Sequence, residues 1–85
     1  MNKINWKPKA VKQLMKVPKV DQTSIRDEVG EQLTRFPMCQ NVKQLTNHAY
    51  SYRLRVGRYR VFFEFDGSVK VVSIEEVKKR DEHTY

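Results

Sequence analysis

The sequence predicts an α+β fold in which two helices pack on one face of an antiparallel sheet. Apolar residues recur every three to four positions through the first 37 residues, which is the helical period. From residue 52 they alternate with polar residues, which is the period of a strand. Because 85 residues suffice for one modest core and not for two, we treat residues 1–85 as a single domain.

The first half is predicted to form a short strand and a two-helix hairpin. The strand spans Lys3 to Trp6, and Pro8 suits the first turn of a helix, where its missing N–H has no cost. Apolar residues at helical spacing then run until Pro18 stops the first helix: Ala10, Val11, Leu14 and Val17. Asp21 or Thr23 is expected to cap the second helix, whose apolar stripe is Ile25, Val29, Leu33 and Phe36.

The second half is predicted to form a three-stranded antiparallel meander after a polar connection over residues 41–50. The expected strands are about Tyr52–Val56, Tyr59–Phe65 and Ser68–Val77. Gly57-Arg58 fits a type II′ turn, and Asp66-Gly67 between β-rich runs is a strong hairpin signal. With the N-terminal strand, the meander would complete a four-stranded sheet.

The register of the first hairpin separates an apolar face from a cationic one. With a two-residue loop, Arg55 lies opposite Arg60, and opposed residues share a sheet face. One face is then a core against the helices: Tyr52, Leu54, Val56, Tyr59, Val61, Phe63 and Phe65. The other face carries Arg53, Arg55 and Arg60 beside Phe62 and Glu64. A slip of one residue would bury the arginines, so this register is strongly specified.

The second hairpin extends both faces. A two-residue Asp66-Gly67 turn would set Phe62 opposite Val71 and Arg60 opposite Ser73. The core would gain Val72 and Ile74, and the arginine face would gain Val69 and Val71. Those valines would form an apolar floor for a nucleobase, or lie under the C-terminal tail. The pattern does not choose between the two.

The charge distribution points to an anionic partner. The net charge is +7, a large field for so small a protein. Residues 43–80 hold four negative charges and these positive ones: Lys43, Arg53, Arg55, Arg58, Arg60, Lys70, Lys78, Lys79 and Arg80. Three adjacent guanidinium groups repel one another and destabilise a sheet. An anion-binding face is therefore favoured, and a well-solvated basic surface is the alternative.

Composition excludes several classes of protein. Cys39 is the single cysteine, which excludes an internal disulfide and a cysteine-based zinc site. No run approaches the 18 apolar residues of a membrane-spanning helix, and the N-terminus lacks the apolar region of a secretory signal. We expect a cytoplasmic protein that uses no membrane, metal ion or cofactor.

The segments YRLRVGRYRVFFEF and IEEVKKRDEHTY, in this order of elements, resemble the RelE/ParE toxin superfamily over essentially the whole chain. QLTNHAY also resembles the family segment that precedes the strand matching Tyr52–Val56. Such proteins are toxins of type II toxin–antitoxin pairs, which implies a cognate antitoxin in a hetero-oligomer. The RelE branch cleaves mRNA in the ribosomal A site without metal. The ribose 2′-OH attacks the adjacent phosphate and leaves a 2′,3′-cyclic phosphate and a 5′-hydroxyl.

The resemblance also implies roles for particular arginines. Arg53 and Arg55 match a basic pair that is lysine in RelE-like enzymes, where one member is a candidate base. Arginine is a poor proton acceptor, so the sequence departs from the family pattern at this role. Arg60 matches the arginine that stabilises the phosphate. Arg80, with Lys79 beside it, matches the arginine near the leaving group.

Other matching positions complete the expected site. His83 matches a general acid of some branches, with a tail histidine of no role as the alternative, and Tyr85 resembles the tyrosine that stacks on or orients a base. His48 matches a loop position where some branches keep a histidine, for proton transfer or a polar loop role. The remaining expected RNA-binding residues are Lys43, Arg58, Lys78 and Lys79.

Three functions compete at this point. The first is a ribosome-dependent mRNA endonuclease, which is favoured because only catalysis needs the constellation Arg53, Arg55, Arg60, Arg80, His83 and Tyr85. The second is a ParE-like toxin, which has the same architecture and inhibits DNA gyrase by binding. The third is a small nucleic-acid-binding module without catalysis.

Overall fold

Two helices cover one face of a five-stranded sheet in the computed structural model, which describes residues 1–80. The elements are β1 (Lys3–Trp6), α1 (Pro8–Met15), α2 (Lys19–Glu28), β2 (Val42–Gln44), β3 (Tyr52–Val56), β4 (Tyr59–Asp66) and β5 (Val71–Lys79). The strand order is β1-β5-β4-β3-β2, in which β1 runs parallel to β5 and the other neighbours are antiparallel. The α+β class predicted from the two sequence periods is confirmed.

The first helix begins as its sequence predicts and ends earlier. Pro8 occupies the first turn of α1, but the helix stops at Met15, before Pro18. Ala10 and Leu14 are buried, whereas Val11 is 38% exposed. The apolar stripe of α1 is therefore narrower than the spacing alone suggested.

The second helix begins at Lys19, directly after Pro18, and no side chain caps its first turn. The expected capping by Asp21 or Thr23 is therefore wrong. Asp21 lies inside the first turn and accepts a hydrogen bond from the Tyr59 hydroxyl at 3.1 Å. The chain continues from α2 into a π-helical segment, Val29–Leu33, whose first and last residues are both buried.

The register of the β3–β4 hairpin is confirmed. Arg55 pairs with Arg60, Leu54 with Val61 and Arg53 with Phe62. Gly57 has a φ of 56°, as the first position of a type II′ turn requires, and a side chain would be strained there. Leu54 and Val61 are fully buried beneath the helices, so the three arginines lie on the opposite face of the sheet.

The β4–β5 hairpin differs from the prediction. Asp66 pairs with Val71, so the turn contains four residues, 67–70, instead of two. The Asp66 carboxylate accepts hydrogen bonds from the Ser68 N–H at 3.0 Å and the Ser68 hydroxyl at 2.6 Å. These local bonds favour the longer turn. Val69 therefore lies in the turn, 64% exposed, and does not extend the arginine face.

A β-bulge shifts the register within this hairpin. Phe63 pairs with Ile74 but Phe62 pairs with Glu76, so Glu75 is an extra residue on β5. The expected pairs of Phe62 with Val71 and of Arg60 with Ser73 are wrong. The predicted burial of Val72 and Ile74 is confirmed, because the bulge changes the face of the β5 side chains only after Ile74. Past the bulge, Glu76 lies beside Phe62 on the face that carries the arginines.

The polar connection contains the additional strand. Val42 pairs with Leu54 and Lys43 with Arg53, which makes β2 the edge of a five-stranded sheet instead of the expected four-stranded one. A strand of three residues is too short to produce a recognisable alternation. The rest of the connection is a loop closed by a hydrogen bond of 2.8 Å from the Leu45 N–H to the Ser51 carbonyl.

The core lies between the helices and this sheet. Buried apolar side chains from α1, α2 and the π-helical segment meet those of the strands: Ala10, Leu14, Ile25, Val29, Leu33, Leu54, Val56, Tyr59, Val61, Phe63, Val72, Ile74 and Val77. Phe36 closes one end with edge contacts to Tyr52, Phe63 and Phe65 at centroid distances of 4.9, 5.3 and 5.0 Å.

Leu54→Ala should test whether this packing fixes the sheet. We expect the free energy of unfolding to fall by about 2–5 kcal/mol, because a fully buried leucine is replaced by a cavity. Urea unfolding provides the measurement. Val69→Ala, at an exposed turn position, should change the value by less than about 0.5 kcal/mol. Similar losses in the two variants would contradict the assigned core.

Candidate functional site

A cavity of about 150 Å³ lies at the end of the sheet where the β3–β4 hairpin turns. Its lining consists of Arg53, Arg55, Gly57, Tyr59, Arg60 and Arg80. Arg55 and Arg60 oppose each other across the hairpin, and Arg53 stands two residues along β3. Arg80 follows β5, where its backbone N–H donates to the Arg58 carbonyl at 2.6 Å. The fold thus brings four of the predicted site residues to one cavity.

The cavity is strongly cationic. Within residues 1–80, no carboxylate forms an ion pair with Arg53, Arg55 or Arg60. Burial lowers the pKa of the Arg53 guanidinium, and the charges of its three arginine neighbours lower it further. Its Nε atom is buried without a hydrogen-bond partner among the described residues. An unpaired buried donor costs about 1–3 kcal/mol, and a phosphate oxygen is a suitable acceptor for it.

The other predicted RNA-binding residues divide into two groups. Lys43 and Lys78 pair with Arg53 and Arg60, so they flank the cavity on the same face. Lys79 pairs with Tyr59, which directs it to the helix side, and Arg58 is exposed at the turn. The predicted roles of His83 and Tyr85 fall on residues outside the described part of the chain.

The loop from residue 45 to residue 51 covers the apolar part of the arginine face. Phe62 points away from the helices and is nevertheless only 6% exposed. The His48 ring stacks on it at a centroid distance of 5.1 Å and an angle of 14°, and the Tyr50 ring lies 5.7 Å from it. The Ser51 N–H donates to the Glu64 carboxylate at 3.0 Å. Glu64 therefore holds this loop, and none of the described ion pairs includes it.

A buried carboxylate lies beneath the same loop. Glu76 accepts a hydrogen bond from Gln13 at 3.2 Å, and Lys9 and Lys78 lie 3.4 and 3.6 Å away. The Tyr50 hydroxyl is near enough that Glu76 raises the pKa of that hydroxyl. Burial raises the pKa of Glu76, but its polar neighbours Gln13 and Tyr50 and its two lysines outweigh burial, so the pKa is lowered overall. The network connects α1, β5 and the loop on the arginine face.

Sequence reasoning missed Gln13, Tyr50 and Glu76. Strict alternation from Ile74 would place Glu76 on the core face of the sheet. The bulge at Glu75 moves it to the arginine face. Gln13 also accepts a hydrogen bond from the Val77 N–H at 2.6 Å. This bond gives the backbone of β5 a partner beyond Ile74, where the pairing with β1 ends. The spacing of 63 residues between Gln13 and Glu76 leaves no local signal.

Within residues 1–80, no group of three or more His, Cys, Asp or Glu side chains could hold a metal ion. No helix of this part of the chain has both the length and the apolar character to span a bilayer.

The protein is a small α+β domain, and its sheet presents a cationic cavity on the side away from the helices. Residues 4–84 match the family model described as the ParE toxin of the type II toxin–antitoxin system parDE. The chain therefore belongs to this toxin family, within the RelE/ParE superfamily, as the resemblance implied. No curated protein sequence is significantly similar to it.

Solved structures show the same fold. A chain of the RelBE2 toxin–antitoxin complex from Mycobacterium tuberculosis is 24% identical, with a TM-score of 0.82 over 93% of this chain and 98% of that one. The isolated RelE toxin of E. coli is 15% identical, with a TM-score of 0.80 over 99% and 89%. A chain of the RelE–RelB complex from Pyrococcus horikoshii is 24% identical, with a TM-score of 0.71 over 95% of this chain and 97% of that one. At these identities the similarity is one of fold.

Arg53→Met should stabilise the protein at low salt. The change keeps the aliphatic stem and removes both the unpaired Nε–H and the repulsion from neighbouring guanidinium groups. We expect the free energy of unfolding to rise by about 1 kcal/mol, and the gain to shrink as NaCl screens the charges. Arg26→Met, at an exposed position of α2, is the control for loss of one positive charge. A loss of stability in Arg53→Met at every salt concentration would contradict the electrostatic interpretation.

Glu76→Gln should remove a pH-dependent part of the stability. Because the pKa of folded Glu76 lies below its ordinary value of 4.5, its carboxylate stabilises the fold above that value and less as the pH falls. At neutral pH we expect the variant to be less stable by about 1–3 kcal/mol, with the difference narrowing below pH 4.5. Urea unfolding across this range is the measurement. The exposed Glu31→Gln is the control, and a constant difference for Glu76→Gln would rule out the proposed linkage.

Proposed function

We propose that this toxin is a ribosome-dependent mRNA endonuclease of the RelE type. The observation that supports this most is the cavity lined by Arg53, Arg55, Arg60 and Arg80. Guanidinium groups bind phosphate oxygens in pairs and stay charged, so a convergent set suits an RNA backbone. The proposal keeps the catalytic assignment of these arginines made from the sequence.

The chemistry we propose is transfer of the phosphoryl group to the neighbouring ribose oxygen. The 2′-OH attacks the adjacent phosphorus, the bond to the 5′-oxygen breaks, and the products are a 2′,3′-cyclic phosphate and a 5′-hydroxyl. Negative charge accumulates on the phosphoryl oxygens in the transition state. Fixed cations at Arg60 and its neighbours would stabilise that charge without reorganisation.

The dependence on the ribosome has a physical basis in this proposal. None of the described residues that line the cavity is a carboxylate or a histidine. Arginine cannot accept the proton of the 2′-OH near neutral pH. The proton acceptor would then come from outside this lining, and the proton donor to the 5′-oxygen would be Arg80 or His83. Binding to the ribosome would supply the missing proton acceptor.

A gyrase inhibitor is the second candidate, because the matching family model is named for ParE. In that case the cationic cavity would be a binding surface for an acidic patch or for DNA phosphates. Such a function needs charge but no aligned proton donor and acceptor. The two candidates therefore make different predictions for RNA.

We also infer a cognate antitoxin. The structurally similar RelE proteins from M. tuberculosis and P. horikoshii were solved as toxin–antitoxin complexes. A chain of net charge +7 would suit an acidic antitoxin segment that neutralises the arginine face in a hetero-oligomer. A ribosomal target would place the protein in the cytoplasm, as the sequence led us to expect.

Cell-free translation provides the test of the leading function. We expect purified protein to generate mRNA 5′ ends in phase with codons, and to generate none when ribosomes are omitted. Arg60→Ala should lower cleavage by at least about 100-fold, the usual effect of removing one transition-state donor. The fold should persist, because Arg60 lies on the face away from the core.

Arg26→Ala, an exposed arginine of α2, is the matched control and should retain full cleavage. Intact mRNA and normal translation with the wild-type protein would contradict the endonuclease proposal. A gyrase supercoiling assay on the same preparation would then decide the second candidate, since inhibition without RNA cleavage is its expected result.

A further inference from the structure

An aromatic surface stands beside the arginine cavity. The His48 side chain is exposed, yet one face of its ring lies nearly parallel to the buried Phe62 ring. The other face of the imidazole is therefore directed away from the sheet. A flat ring supported from below and open above is the form that stacking on a nucleobase requires.

The imidazole is held in place by several contacts. Its Nδ1 atom accepts a hydrogen bond from the Tyr50 N–H at 3.1 Å, and the Tyr50 ring lies 5.9 Å from the His48 ring. The Tyr50 hydroxyl lies near the buried Glu76, whose carboxylate raises the pKa of that hydroxyl. Two further bonds close the loop, from Leu45 to Ser51 and from Ser51 to Glu64. A ring held this way loses little conformational entropy when it binds a ligand.

The strand register places this ring next to the phosphate site. Phe62, which supports the imidazole, pairs directly with Arg53 and lies two positions from Arg60 on the same face. Directly opposed side chains are about 5 Å apart, and alternate residues of a strand are about 7 Å apart. The phosphate of one nucleotide at the arginines would thus leave a nearby base within reach of His48.

We propose that His48, supported by Phe62 and held by Tyr50, is a stacking platform for a base of single-stranded RNA bound at the arginine cavity. This inference rests on the proposed function, because it assumes that RNA occupies the site. His48 contacts the substrate in this arrangement. Tyr50 and Glu76 act through it and are positioning residues. Tyr85, which the resemblance implied for base stacking, lies outside the described residues.

Binding of two matched ligands measures the platform directly. One is a short single-stranded 2′-O-methyl RNA, which cannot be cleaved, and the other is the abasic oligomer of the same length and charge. The wild-type protein should bind the base-bearing oligomer roughly 5- to 150-fold more tightly, the usual effect of one stacked base. Fluorescence anisotropy at one fixed salt concentration gives both affinities.

Variants separate stacking from charge. His48→Ala should lose the preference for bases while its affinity for the abasic oligomer stays unchanged, and His48→Phe should restore the preference. Tyr50→Phe removes only the hydroxyl that interacts with Glu76 and should reduce the preference without changing abasic binding. A merely structural role for Tyr50 would lower both affinities together. Thr46→Ala, an exposed change in the same loop, should leave both affinities as they are.

The outcomes distinguish this inference from the proposed function. A wild-type protein with no preference for bases, or a His48→Ala variant that keeps it, overturns the platform even if mRNA is cleaved during translation. A base preference that depends on His48 supports the platform. If the same protein fails to cleave mRNA, the endonuclease proposal alone is lost.

Discussion

The burial of Leu54 against Val61 is the contact on which the rest of the structure depends. Both side chains are fully buried, and their pairing fixes the β3–β4 register. Because side chains alternate across a strand, the same pairing sets Arg55 against Arg60 on the other face. Each large apolar side chain contributes about 1.5–3 kcal/mol when buried, so the core can offset the repulsion among the arginines. The hydrophobic core thus assembles a charge cluster that would not assemble alone.

That repulsion is the physical reason to regard the arginine face as a binding site. A surface selected only for solubility would mix charges of both signs, whereas Arg53 here has three arginine neighbours and an unpaired buried Nε. A bound phosphate would neutralise the cluster and pair that donor. The loop carrying His48 and Tyr50 is held beside the cluster by the hydrogen bond from Ser51 to Glu64, so aromatic and cationic groups share one face. Single-stranded nucleic acids are bound by this combination.

The sequence predicted those parts of the molecule that follow from regular alternation. The β3–β4 register and the convergence of Arg53, Arg55 and Arg60 were predictable because a short turn and a strong apolar pattern agree. The β4–β5 register was not, since the Asp66–Ser68 bonds lengthen the turn and Glu75 forms a bulge. The contact between Glu76 and Gln13 could not be predicted, because it depends on that bulge and joins distant segments of the chain.

The resonance of the Arg53 Nε–H group offers the most direct test of a phosphate site on this face. The probe is a 2′-deoxy dinucleoside monophosphate, which carries one phosphate and cannot undergo 2′-OH attack. Titration into the labelled protein should shift the Arg53 Nε resonance strongly, because its unpaired donor gains an acceptor, and should leave the exposed Arg26 unchanged. Shifts of equal size at both arginines, or none at Arg53, would show that the phosphate does not bind in this cavity.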